Sequence, residues 1–372
     1  MNKRLKKSGS TVQRLRKTIP GFLILLGLIC FSPGCSDQNT DKTERLFSDY
    51  DNSASPGAAV MIIKGDHMVF RKCFGSADIE KKEEVSAATN FRLASLSKSF
   101  TAFSILILIN KGLLRFETTL GEIFPDFPDY GRNITIKHLL QHTSGLPDYE
   151  SLTSDDPAII LNDQEVLKLL TKKNKTLFPP GSRFRYSNSG YAVLSVVIEK
   201  VSGKPYPLFL KECIFDPLEM RNSVAYINGI NMVNHRAYGY KVILGMTEKA
   251  DQNAVSGVLG DGGIYSSLKD MLKWEWSLRR NILISDSLRS LIWQKGRTSK
   301  GTEFNYGLGW RIENYKGYYA PYHPGSSTGF RNIYYRIPSE DFALIILTNR
   351  ESDDPDKMLN LAHRIVDIWL NK

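Results

Sequence analysis

Two pairs of short, β-rich apolar runs, one near each end of the chain, frame a middle that reads as helical, and few folds satisfy that order. Ala58 to Lys64 (AAVMIIK) and His67 to Phe74 (HMVFRKCF) flank Gly65-Asp66, a hairpin signal. Phe330 to Ile337 (FRNIYYRI) and Phe342 to Thr348 (FALIILT) repeat the pattern around Pro338-Ser339-Glu340-Asp341. A lone hairpin is marginally stable and leaves its edges unpaired, so each pair needs the other. Between them, helical spacing runs near Ser95 to Lys111, Ile136 to Gln141, Gln164 to Lys172, Gly190 to Val201, Tyr206 to Glu212 and Leu268 to Leu278. A further helical stretch, Asp356 to Leu370, closes the chain. The expected architecture is α/β (α+β): one antiparallel sheet flanked by helices, built from both chain ends, with an inserted, mostly helical lobe. We place the sheet lobe at about 54–125 and 300–372 and the helical lobe at about 126–299.

The net charge of +10 would suit a nucleic-acid or membrane-surface protein, so its location matters. Lys3, Arg4, Lys6, Lys7, Arg14, Arg16 and Lys17 stand in a stretch, residues 1–34, with no Asp or Glu. Removing these seven from the 49 Lys and Arg leaves 42 against 39 Asp and Glu, a surplus of three. A nucleic-acid partner is therefore not expected. The apolar run Gly21 to Phe31 has eleven residues, short of the roughly 20 that span a bilayer and suited to a signal-peptide core. Ser32-Pro33-Gly34-Cys35 resembles a bacterial lipoprotein signal, although Ser32 stands where that pattern usually has Leu. We expect residues 1–34 to be an export signal and Cys35 to carry lipid, with simple cleavage or a retained anchor as the alternatives. Residues 35–53 are polar and aperiodic and read as a flexible tether. Localisation in the cell envelope, on a membrane through the lipid anchor, follows. Cys73 and Cys213 read as buried small hydrophobes, although an oxidising compartment permits a bridge. There is no Cys-x-x-Cys, and neither metal nor cofactor is expected.

Ser95-x-x-Lys98 opens the apolar helix pattern that continues as FTAFSILILI. Lys98 lies one turn on, within reach of the Ser95 hydroxyl, and a helix N-terminus favours negative charge there. A serine needs a group to take its proton before it attacks a carbonyl. Tyr186-x-Asn188 supplies a phenol and an amide just before a helix start, and His323-x-Gly325 lies on a strand edge that can offer a backbone N–H. Each pattern has a rival. Ser266-x-x-Lys269 contains Ser267, which with Asp270 reads as a helix cap. Tyr226-x-Asn228 repeats the Tyr-x-Asn spacing. Gly325-x-Ser327-x-Gly329 fits a nucleophile elbow with His363 downstream, but a β-rich run follows it where the elbow requires a helix. His138 and His142, spaced like zinc ligands, lack a third partner and read as capping and packing residues.

In this order and at these separations, Ser95-x-x-Lys98, Tyr186-x-Asn188 and His323-x-Gly325 resemble the serine β-lactamase and penicillin-binding protein superfamily. The class C and DD-peptidase-like branch, which includes esterases and D-amino-acid amidases, is the nearest. The resemblance covers about residues 55 to 370 and extends to FRLASLSKSFTA, ITIKHLLQHTSGLPDY, PPGSRFRYSNSGYAVLSVVIEKVSGK, LGDGGIYSSLKDMLKW and YGLGW. It implies Ser95 as acyl-enzyme nucleophile, Lys98 as its base partner and Tyr186 as proton relay, Lys98 and Tyr186 acting as one coupled unit. It implies Asn188 as ligand of the substrate amide, the N–H groups of Ser95 and Ser326 as the oxyanion hole, and His323, Gly325 and Ser326 at the substrate. Pro324 replaces the hydroxyl that would hold a substrate carboxylate in Lys-Thr-Gly relatives, so Ser326 or Ser327 would take that place. The resemblance thus implies a serine hydrolase cleaving an amide or ester in a small molecule or a peptidoglycan-type peptide. The alternative is a non-catalytic penicillin-recognising surface lipoprotein.

Overall fold

A computed structural model describes residues 33–153 and 160–370. Residues 1–32 of the leader read at 1–34, and the side chain of Cys35, lie outside what is described. The main sheet has six strands: β1 (Ala58–Lys64), β2 (His67–Phe74), β3 (Arg311–Tyr315), β4 (Tyr318–Ser327), β5 (Phe330–Ile337) and β6 (Phe342–Thr348). Their spatial order is β3-β4-β5-β6-β1-β2, antiparallel throughout. The two chain ends meet at the centre, where Ala58 pairs with Thr348 and Lys64 with Phe342. Every residue of β1 and β6 except Lys64 is buried, which is why both read as unbroken apolar runs. β1, β2, β5 and β6 have the bounds expected from sequence; β3 was not foreseen, and of β4 only the strand edge at His323-x-Gly325 was.

Alternation divides the sheet's side chains between two cores. Val60, Ile62, Leu344 and Ile346 pack with Ile365 and Trp369 of the closing helix, and Met61, Ile63, Ala343 and Ile345 face the interior shared with the inserted lobe. The helices that position the site are α1 (Pro33–Arg45), α2 (Ser97–Asn110), α3 (Asp163–Thr171), α4 (Asn188–Ser202), α5 (Leu268–Arg280), α6 (Asp286–Leu291) and α7 (Lys357–Leu370). All residues from Ser97 to Leu108 are buried. A helix covered on every side is a central element, and α2 runs between the two lobes.

Two expectations about organisation need correction. The stretch 35–53, read as a tether, is folded: α1 is followed by a turn whose Phe47 and Tyr50 are buried in the same cluster as Trp369. Phe47 stacks on Phe74 at 5.3 Å between centroids, and the Trp369 indole donates to the buried Thr43 hydroxyl at 2.9 Å. Three anchors in an otherwise polar stretch hold it without any periodic signature. The helix at 268–280, assigned to the inserted lobe, lies against the sheet. Its buried Glu275 accepts hydrogen bonds from Arg336 and Tyr334 of β5, and Trp274 stacks on Phe100 of α2 at 4.3 Å. Cys73 and Cys213 are both free thiols.

Candidate active site

Ser95 sits in a tight turn, Ala94–Leu96, immediately before α2. Ala94 has φ +51°, a left-handed conformation that costs about 1–3 kcal/mol for a residue with a Cβ. The surrounding structure holds it there: Leu93 N–H donates to the carbonyl of Ile264, and Asn332 donates to the carbonyls of Arg92 and Leu93. Lys98, one turn on, is wholly buried. Its Nζ donates to Ser95 Oγ at 3.1 Å and to the backbone oxygen of Asp261 at 2.9 Å. Lys98 Nζ also lies 5.2 Å from the centroid of the Tyr186 ring. Nucleophile, lysine and phenol are therefore brought together as the resemblance implied.

Tyr186 reaches this cluster from the extended segment before α4. Its ring rests on His142, 4.2 Å between centroids, with the Arg311 guanidinium 5.0 Å from its face. Asn188, the first residue of α4, is fixed by loop carboxylates: its N–H donates to Asp148 at 2.7 Å and its Nδ2 to Glu150 at 2.9 Å. Its Oδ1 is buried with no partner among the described residues.

The third motif departs from expectation at two residues. His323 does not reach substrate. It is buried, its Nδ1 bonding the Pro324 carbonyl at 2.7 Å and its Nε2 facing the Tyr306 hydroxyl at 3.2 Å. A carbonyl can only accept, so Nδ1 carries the proton and Nε2 accepts from Tyr306. Burial, then the nearby Arg311 and Lys98 charges, hold the ring well below the usual histidine range, so it is neutral. Gly325 does not make room for substrate either: a Cβ there would stand 2.3 Å from the carbonyl oxygen of Leu93. The glycine lets β4 lie against the turn that carries the nucleophile. Ser326 lines the same cavity as Ser95. Counting back from the Ser327↔Phe330 pair that closes the hairpin, ladder alternation turns the Ser326 amide away from β5. β3 pairs no further than Tyr322, so that edge is open beside Ser95.

A cavity of about 300 Å³ adjoins the nucleophile, lined among others by Ser95, Glu150, Asn188, Asp261, Ser326 and Ser327. One wall is acidic. Burial, then Asp148 and Asp261, push the Glu150 carboxyl up; burial also raises Asp261, against the pull of Lys98. Tyr149 donates to Asp261 at 2.8 Å. Behind them Asp163 is pushed up to about 7 by burial, although the N–H groups of Leu259 and Gly260 oppose the shift.

The rival motifs fall away. Ser267 caps α5 by accepting from Asp270 N–H, and the Tyr226 hydroxyl donates to its own neighbour Asn228. Gly325 to Gly329 forms the β4–β5 hairpin, and His363 pairs with Glu313 on α7's side of the sheet. His138 closes a capping box with Thr135. Glu150, Asp261, Tyr306, Arg311 and the packing role of His142 at Tyr186 were not anticipated, for they are single polar residues on loops and at the start of β3.

A family model described as Beta-lactamase matches residues 43–367. The chain is 32% identical over 326 residues to penicillin-binding protein 4* of Bacillus subtilis, covering 83% of this chain and 72% of that protein. It is 28% identical to a D-aminopeptidase of Brucella canis over 84% of this chain, but spans only 60% of that protein's length. Among solved structures, a penicillin binding protein from Bacillus halodurans aligns with TM-score 0.72 and 28% identity over 86% of this chain and 98% of that one. The D-amino acid amidase of Ochrobactrum anthropi, at 21% identity, TM-score 0.75, 90% of this chain and 99% of that one, shares the fold. The family match begins inside α1, ahead of the point where a tether would have ended, and runs through to α7. On that extent, and with a sheet closed from both chain ends around Ser95 and Lys98, the chain belongs to the beta-lactamase family of serine hydrolases.

Proposed function

We propose that the protein cleaves an amide or ester through an acyl-enzyme on Ser95, in a small molecule or a D-residue peptide of the peptidoglycan type. The observation that carries this reading is the buried Lys98 Nζ at 3.1 Å from Ser95 Oγ. Ser95 Oγ attacks the substrate carbonyl while its proton passes to the Lys98–Tyr186 unit. The oxygen that gains charge is met by the N–H groups of Ser95 and Ser326. The carbonyl then reforms, and Tyr186 returns the proton to the departing amine or alcohol. Water attacks the resulting ester and loses a proton to the same unit, which returns it to Ser95 Oγ as the acid departs. The free Asn188 Oδ1 is an acceptor for a substrate amide N–H. The likeness to a D-aminopeptidase supports a D-residue substrate, and Pro324 in the third motif argues against efficient β-lactam turnover. We further propose export and lipid attachment at Cys35, on the leader's pattern alone; mass spectrometry of the mature N-terminus checks it, and an unmodified terminus elsewhere overturns it.

Labelling the pure protein with a fluorescent penicillin and with a fluorophosphonate, beside Ser95→Ala, tests the mechanism. Labelling of the wild type that disappears in Ser95→Ala is expected; labelling that survives the substitution overturns the assignment. Fluorophosphonate labelling alone indicates esterase or amidase chemistry, and turnover of a chromogenic cephalosporin indicates β-lactamase.

A further inference from the structure

A second cavity, of about 410 Å³, lies at the other end of β5, between that strand, α5, α6 and the loop after α6. Arg331 borders the active-site cavity and Arg336 borders this one; five residue steps along the strand set them about 17 Å apart. Three N–H groups on its lining side chains are buried and have no acceptor among the described residues: Arg336 Nη1, Arg289 Nε and Trp293 Nε1. Arg336 is itself only 5% exposed, and its guanidinium lies 4.5 Å from the Trp293 ring centroid.

The charges around the cavity do not balance on its inner side. One buried carboxylate, Glu275, serves both Arg336 and Arg279. Arg279 spends its other nitrogens on the backbone oxygens of Gly65 and Asp341. Arg280 and Arg289 reach Asp66 and Asp286, whose carboxylates are each 81% exposed, so water screens both pairs. A buried donor without an acceptor is destabilising, and native structures rarely keep several together. We infer that this cavity binds a phosphate group, free or carried on a small molecule, through Arg289, Trp293 and Arg336. The donors arrive from α6, from the loop behind it and from β5. A tetrahedral anion offers an oxygen to each, and guanidinium groups match its geometry and charge.

The site is independent of the reaction proposed at Ser95, so its test reads binding. Inorganic phosphate and glycerol phosphate are titrated by calorimetry into the wild type, Trp293→Phe and Arg289→Gln, in a phosphate-free buffer with chloride held constant. Trp293→Phe removes the unpartnered N–H together with part of the indole, so the melting transition of each variant is recorded without phosphate to confirm that it is folded. Binding to the wild type that weakens at least tenfold in both variants, with Ser95 labelling by fluorophosphonate unchanged, is expected. Heat from inorganic phosphate indicates a free anion, and heat from the ester alone indicates a carried one. No binding of either, or binding of equal strength in the variants, overturns the inference.

Discussion

His323 shows how the surroundings of one ring decide what it can do. With Nδ1–H committed to the Pro324 carbonyl and Nε2 accepting from Tyr306, both nitrogens are satisfied in the neutral form, and Arg311 and Lys98 oppose a further positive charge. The unfolded chain takes up a proton on this residue near pH 6.5 while the folded chain does not. The contribution of this residue to stability is therefore unchanged above that pH and falls as pH drops through it. Asp163, pushed up to about 7, has the opposite sign, since its contribution is present at low pH and lost as pH rises through 7. It is common to wild type and His323→Gln and drops out of their difference. Urea midpoints at pH 7.5 and 5.5 should show wild type losing more stability than the variant; parallel losses would mean that His323 titrates as it does in the unfolded chain. Gly325 yields a second prediction. A Cβ 2.3 Å from the Leu93 carbonyl must displace the nucleophile turn, and a shift of that order lowers kcat/KM by roughly 100-fold. Gly325→Ala should slow acylation of small and bulky substrates alike; a glycine that merely made room for substrate would spare the small ones.

Which elements were legible from sequence follows from how each is covered. β1, β2, β5 and β6 declare themselves because β-branched and aromatic residues fill strands bounded by turn residues. β4 carries Pro321, Pro324 and Gly325, which interrupt any strand pattern, so only an edge at His323-x-Gly325 was read there. The strand tolerates them because its pairing with β5 begins only at Tyr322 and β3 leaves the edge at Pro324 free. Ser95, Lys98, Tyr186 and Asn188 were legible because their short patterns beside helix starts, taken together and in order, resemble those of the family, although each pattern alone has a rival in the chain. Glu150, Asp261 and Arg311 were not, since only tertiary folding brings their loops and strand to the cleft. α1 was missed for a related reason: its polar sequence has no stripe, and its hold on the body comes from Thr43 and, just beyond it, Phe47 and Tyr50. Phe47→Ala should therefore destabilise the protein by about 3–5 kcal/mol, as for other buried phenylalanines, read as a lowered urea midpoint at unchanged slope. A residue in a free tether would leave the midpoint where it was.

At the scale of the molecule, the ends of the chain hold the site together. The nucleophile turn follows β2 by some twenty residues, yet the strand that packs against it, β4, arrives more than two hundred residues later. The centre of the sheet is a pairing between the first strand and the last, so neither hairpin has a complete sheet until the whole inserted lobe has been made. Such long-range closure slows folding, because loop entropy is lost before the contacts that offset it form. It also makes the site conditional on the C-terminal segment. A chain that stops at residue 299 lacks β3 to β6 and α7, leaving Met61, Ile63 and the inner face of α2 without cover and Ser95 without the Ser326 amide. It should show no near-ultraviolet circular dichroism of packed aromatic rings and no labelling of Ser95 by fluorophosphonate. Supplying residues 300–372 in trans should restore both, because β1 and β6 meet through backbone pairing that needs no covalent link. Labelling of the truncated chain at the full-length rate would show instead that the inserted lobe and α2 organise the nucleophile by themselves.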